Sequence, residues 1–76
     1  MIFGDSGGLV MKNNIRVERA IKRITQQQLA ERIGVSRQTI NAIESGKYIP
    51  STLLALKMSK VFEKPVDDIF LLEESD

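Results

Sequence analysis

The 76-residue chain has no cysteine and no histidine. Those absences remove the thiol nucleophile, the common soft metal ligands and the side chain that shuttles protons most readily near neutral pH. Disulfides, zinc sites and Ser-His or Cys-His catalysis therefore lie beyond what one such chain can build. Carboxylates remain, but none forms an evident acid–base pair with a nucleophile, so neither an enzyme nor a cofactor is expected. No apolar run approaches the roughly 20 residues that span a bilayer, which predicts a soluble protein with no membrane partner, and the lack of cysteine fits a cytoplasmic one. A chain this short makes one domain that buries only about 60% of its unfolded surface. A deep cleft for a small-molecule ligand is not expected.

Charge of one sign is scarce only in parts of the sequence. The formal net charge is +1, yet from Lys12 to Lys47 eight bases (Lys12, Arg16, Arg19, Lys22, Arg23, Arg32, Arg37, Lys47) face three acids (Glu18, Glu31, Glu44), a net +5. From Tyr48 onward three bases face six acids, a net −3, and Asp5 supplies the remaining −1. Such a split concentrates positive field over the middle of the chain, where it would steer a polyanion.

That basic half contains the most informative stretch. Thr25 and Gln28 have the spacing of a capping box. Leu29, Ala30 and Ile33 follow at helical spacing. Gly34 then stands where a left-handed residue closes a helix, and Ser36 is a good cap for the next one. In that second helix Ile40 and Ile43 face inward, which leaves Arg37, Gln38, Asn41 and Ser45 facing out. Arg, Gln and Asn carry the donor and acceptor sets that fit guanine and adenine edges in the major groove. Thr39 is placed to touch a thymine methyl or a phosphate.

The pattern Thr25-Gln26-x-x-Leu29-Ala30-x-x-Ile33-Gly34-Val35-Ser36-Arg37-Gln38-Thr39-Ile40-x-x-Ile43-Glu44-x-Gly46-Lys47 resembles the helix-turn-helix of the Xre/Cro family, the lambda-repressor-like bacterial and phage regulators. It is similar to the short members that are little more than a DNA-binding domain. The likeness runs from about Met11 to Leu72 and takes in the tail pattern Pro50-Ser51 to Ile69-Phe70. It implies an all-α fold, a compact bundle of five short helices, and double-stranded DNA as partner. It also implies that Gln26 lies against the DNA backbone and that Arg19 pairs with Glu44, tying the first helix to the end of the reading helix.

The remaining segments fall into place around the motif. Residues 1–10 hold three glycines and no helical period, which predicts a flexible extension upstream of a domain at 11–72. Asn14 is expected to cap a first helix from Ile15 to about Arg23, with Ile15, Ala20 or Arg19, and Ile24 inward, while Val17 and Ile21 share another face. Lys47 in the glycine loop, Ser36, Arg16 and Lys12 are candidate phosphate contacts. Tyr48 either gives its hydroxyl to phosphate or packs on the loop. Ser51 should cap a fourth helix whose core face holds Leu54, Met58 and Val61, with Leu53 and Ala55 beside them. Val66 to Phe70 should form a fifth, before an acidic tail at 73–76.

Ile69, Phe70, Leu71 and Leu72 bring more apolar surface than a domain this small covers, and two of the four are expected to stay outside. With Val66 they are assigned to a homodimer interface. The reading is a DNA-binding transcriptional regulator, a repressor on a palindromic operator. The alternative is an antitoxin or adaptor that works mainly through a protein partner.

Overall fold

An eight-residue helix leaves most of its terminal N–H and C=O groups without partners inside it, so short helices stand only where caps and packing close their ends. In the computed structural model, which describes residues 12–72, three hydroxyl caps do this. Thr25 Oγ1 accepts from Gln28 N at 3.0 Å while Gln28 Oε1 accepts from Thr25 N at 2.8 Å. Ser36 Oγ accepts from Thr39 N at 3.1 Å, and Ser51 Oγ from Leu54 N at 3.2 Å. The elements so bounded run β1 (Lys12–Asn13), α1 (Ile15–Lys22), α2 (Gln26–Ile33), α3 (Arg37–Glu44), α4 (Thr52–Phe62), α5 (Val66–Ile69) and β2 (Phe70–Leu71). The five expected helices are present. The extension at residues 1–10 and the tail at residues 73–76 lie outside the described residues.

The α2–α3 turn is closed by Gly34 at φ 80, the left-handed region that glycine enters without steric cost. Behind the turn Lys57 Nζ donates to Ile33 O at 3.3 Å, so a base from α4 covers the carboxyl end of α2. The core beneath holds Ile15, Leu29, Ala30, Ile33, Ile40, Ile43, Met58, Phe62 and Ile69, each at most 1% exposed. Burial on one side turns the opposite flanks of α2 and α3 outward, and this positions the site.

Several sequence expectations need correcting. Asn14 occupies the cap position of α1, but its side chain makes no capping bond. Its Nδ2 donates instead to Asp68 O at 3.1 Å, and it is Asn13 Oδ1 that accepts from Ile15 N at 3.1 Å. Inside α1 the buried position after Ile15 is Glu18, not Ala20, because Ile15, Glu18, Arg19 and Lys22 share the inward arc. Val17 and Ile21 are exposed. Lys64 Nζ donates to Glu18 Oε2 at 3.2 Å, which pairs the buried charge.

In α4 Met58 and Phe62 are buried and Leu54, Ala55 and Val61 pack beside them, whereas Leu53 falls on the outer face. The fifth helix stops at Ile69. Phe70 turns extended and pairs with Asn13 in a two-residue antiparallel ladder, with Lys12 opposite Leu71. Ile69 and Phe70, assigned above to a dimer face, are thereby buried in the single chain, while Leu71 and Leu72 remain exposed.

Candidate nucleic-acid interface

Along α3 the residues Arg37, Gln38, Asn41 and Ser45 recur at three- and four-residue intervals, so they share the arc opposite Ile40 and Ile43, and all four are exposed. Arg37 and Lys47 have no carboxylate within ion-pair distance among the described residues. Five guanidinium donors and a free ammonium therefore face outward on one helix and the loop that follows it. Thr39 is half-buried, and its hydroxyl lies 3.0 Å from Ser36 Oγ.

The inner edge of this surface is held by a polar cluster drawn from three helices. Arg19 Nε donates to Glu44 Oε2 at 2.6 Å and Arg19 Nη2 to Glu44 Oε1 at 3.1 Å, a two-pronged pair whose side chains are 16% and 3% exposed. The third guanidinium nitrogen, Nη1, donates to Ile24 O at 3.2 Å. Gln26 Nε2 also reaches Glu44 Oε1, at 3.1 Å, and Asn41 Oδ1, at 3.3 Å.

The donor arithmetic of this cluster fixes which way Asn41 points. A carboxylate only accepts, so Gln26 must turn its NH2 toward Glu44. The second hydrogen of that NH2 needs an acceptor, and Asn41 supplies Oδ1. Both N–H groups of Asn41 are then free on the outside. The same arithmetic accounts for both N–H groups of Gln26. Its side-chain donors are both engaged within the protein, beside Asn41 at the start of α2.

The other sequence-derived candidates are distributed around this centre. Ser36 is exposed and spends its oxygen on the α3 cap. Lys47 lies in the loop closed by Gly46 at φ 81. Tyr48 is half-exposed, with its backbone N–H on Ala42 O at 3.2 Å. Arg16 is exposed on α1, and no hydrogen bond joins it to the cluster among the described residues.

One residue went unrecognised in the sequence. Asn13 Nδ2 donates to Ile43 O at 3.0 Å and to Glu44 O at 3.4 Å, at the carboxyl end of α3. The available signal was the doublet Asn13-Asn14 before Ile15. Asparagine two residues ahead of a helix start can make the same local turn as one directly before it.

Comparison with known proteins bears on the family and the fold. Residues 15–69 match the profile of the family described as Helix-turn-helix. An uncharacterized HTH-type transcriptional regulator of Methanocaldococcus jannaschii is 50% identical over 66 residues, covering 87% of this chain and 100% of that protein. The uncharacterized HTH-type transcriptional regulator YgzD of Bacillus subtilis is 48% identical over 66 residues, with the same coverage of both chains. A crystal structure of a Bacteroides fragilis protein, provisionally described as DNA-binding, superposes with a TM-score of 0.71 at 32% identity, over 79% of this chain and 97% of that one.

Proposed function

Because the chain belongs to the Xre/Cro, lambda-repressor-like helix-turn-helix family of DNA-binding transcriptional regulators, we propose that it represses transcription in the cytoplasm as a homodimer on a palindromic operator. The observation that carries this is the exposed arc of Arg37, Gln38, Asn41 and Ser45 on a helix whose opposite side is locked into the core. In this reading α3 lies in the major groove, Arg37 meets guanine, Gln38 meets adenine, and the outward N–H groups of Asn41 seek base acceptors. Thr39 gives its methyl to thymine. Ser36, Lys47, Arg16 and Tyr48 hold the backbone and set register without reading sequence. Repression needs nothing beyond occupancy, which a bound dimer supplies by covering the operator.

The dimer rests on the apolar surface that one chain leaves open. A groove of about 390 Å3 is lined by Ile49, Pro50, Leu56, Val66 and Phe70, and Leu72 is 77% exposed. A single chain therefore has both an apolar groove and an apolar side chain to fill one, the self-complementarity that a two-fold contact requires. Charge favours the same occupant. The sequence after Leu72 is acidic, and Lys60 stands one turn beyond Leu56 on the face of α4 beside the groove. Two copies would set their α3 helices about 34 Å apart, on successive major-groove faces.

The test is a titration of isotope-labelled protein with duplex DNA, followed by amide chemical shifts. The proposal expects the largest changes from Ser36 to Lys47. Changes confined to α4 and α5, or none, would refute it.

A further inference from the structure

We infer that Asn13 is a positioning residue for DNA reading, because its side-chain amide fixes the carboxyl end of α3. The inference rests on α3 being the reading helix. An eight-residue helix keeps its aim only if both ends are held. Ser36 holds the amino end, and the carboxyl end presents carbonyls with few partners inside the helix.

The accounting of those carbonyls singles out Asn13. Asn41 O accepts from Ser45 N at 3.0 Å, and Ala42 O from Lys47 N at 2.9 Å. Ile43 O accepts from Gly46 N at 3.0 Å and also from Asn13 Nδ2. Glu44 O has Asn13 Nδ2 as its one donor among the described residues. A side chain 30 residues away in sequence thus closes the last turn. Its N–H groups point at the negative end of the helix dipole, where a donor is favoured.

Asn13 is itself held from two sides. Its Oδ1 accepts from Ile15 N, which ties it to α1, and its backbone pairs with Phe70 in the β1–β2 ladder. It also lines a cleft of about 320 Å3 with Lys12, Asn14, Glu44, Ser45, Gly46 and Leu71, beside the loop that carries Lys47. Releasing the amide would let the end of α3 and that loop shift together while the core stays filled.

Two roles of Asn13 can be separated chemically. Aspartate keeps the oxygen that accepts from Ile15 N, and makes this local turn as readily as asparagine. It loses both donors, however, and puts a carboxylate against the carbonyls of Ile43 and Glu44. Were Asn13 only the acceptor for Ile15 N, Asn13→Asp would leave the ratio of affinities and the exchange at the end of α3 as in the parent.

The experiment compares the parent, Asn13→Ala and Asn13→Asp in two ways. One is the ratio of affinities for a selected duplex and a mixed-sequence duplex at fixed salt. The other is amide hydrogen exchange at Ser45, Gly46 and Lys47. For Asn13→Asp we expect discrimination to fall by about tenfold, the size of one lost base contact, with faster exchange at those three amides and unchanged protection in α4. Discrimination within about twofold of the parent, the scatter expected of uncoupled sites, together with parental exchange, would overturn the inference. If the parent itself discriminates between no duplexes, base reading by α3 fails. The exchange result still decides whether Asn13 holds the helix end.

Discussion

Replacing Arg19 by methionine should destabilise the domain far more than its position near the surface suggests. Methionine keeps the aliphatic bulk of the side chain and removes the guanidinium. Glu44, with its side chain only 3% exposed, then keeps the single Gln26 donor at 3.1 Å, and Ile24 O loses its Nη1 partner. Breaking one side of a buried pair typically costs about 3–5 kcal/mol. Arg19 is 16% exposed, so water can enter the space it vacates, which sets the expected loss near the lower end, at about 3 kcal/mol. A domain of this size has only about 4–11 kcal/mol of stability in total. Each kcal/mol shifts the melting temperature by roughly 4–8 °C, so the drop should be roughly 12–24 °C. Urea unfolding followed by far-UV circular dichroism measures this without a tryptophan. A double variant, Arg19→Met with Glu44→Leu, removes both charges and should be more stable than Arg19→Met alone. If Arg19→Met unfolds within about 0.5 kcal/mol of the parent, the pair contributes no more than a surface ion pair and the reasoning fails.

Other consequences follow from single residues. Glu63 ends α4 at φ 58, a left-handed conformation that costs a residue with a β-carbon roughly 1–2 kcal/mol. Glu63→Gly should raise stability by about 0.5–1 kcal/mol even after the added freedom of the unfolded chain, and its 78% exposed ion pair with Lys22 offsets little of that. An unchanged or lower melting temperature would contradict it. Lys47→Ala should weaken binding to all duplexes alike and flatten the salt dependence by about 0.9 in log–log slope. Gln38→Ala should cost about 1–3 kcal/mol on the preferred duplex and leave that slope alone. Fluorescence anisotropy over a salt series distinguishes the two, and identical profiles would sink the division of roles. Leu72→Glu should convert a micromolar dimer to monomer in sedimentation equilibrium, and a persistent dimer would exclude the proposed contact.

What was legible in the sequence was mostly what neighbouring residues decide among themselves. The capping box of Thr25 and Gln28, the caps at Ser36 and Ser51, and the left-handed turn at Gly34 all involve partners within about four residues, so spacing and residue type suffice. Ile40 and Ile43 announce the inward side of α3, and the exposed arc follows by elimination. The less legible features join distant segments. A two-residue ladder has no period to detect, and nothing near Asn13 signals Phe70 or Ile43. Lys57 covering Ile33 O is equally silent. In α1 the expectation of Ala20 inward missed because the buried place between Ile15 and Lys22 belongs to a charged residue, Glu18, whose partner Lys64 lies 46 residues on. The left-handed Arg23 and Glu63 carry no glycine to mark them. At the site, the bonds of Gln26 to Glu44 and Asn41 could not be read ahead because hydrogen-bond partners, unlike helix positions, depend on which side chains three helices bring to one point.

The most direct test of the account is selection of bound duplexes from a random DNA pool, carried out in parallel with the parent and with Gln38→Ala. Reading by α3 predicts enrichment of one motif in two inverted half-sites whose centres lie about one helical turn apart, with preference relaxed at one position of each half-site in the variant. No enrichment with the parent, or the same motif at undiminished strength with the variant, would contradict it.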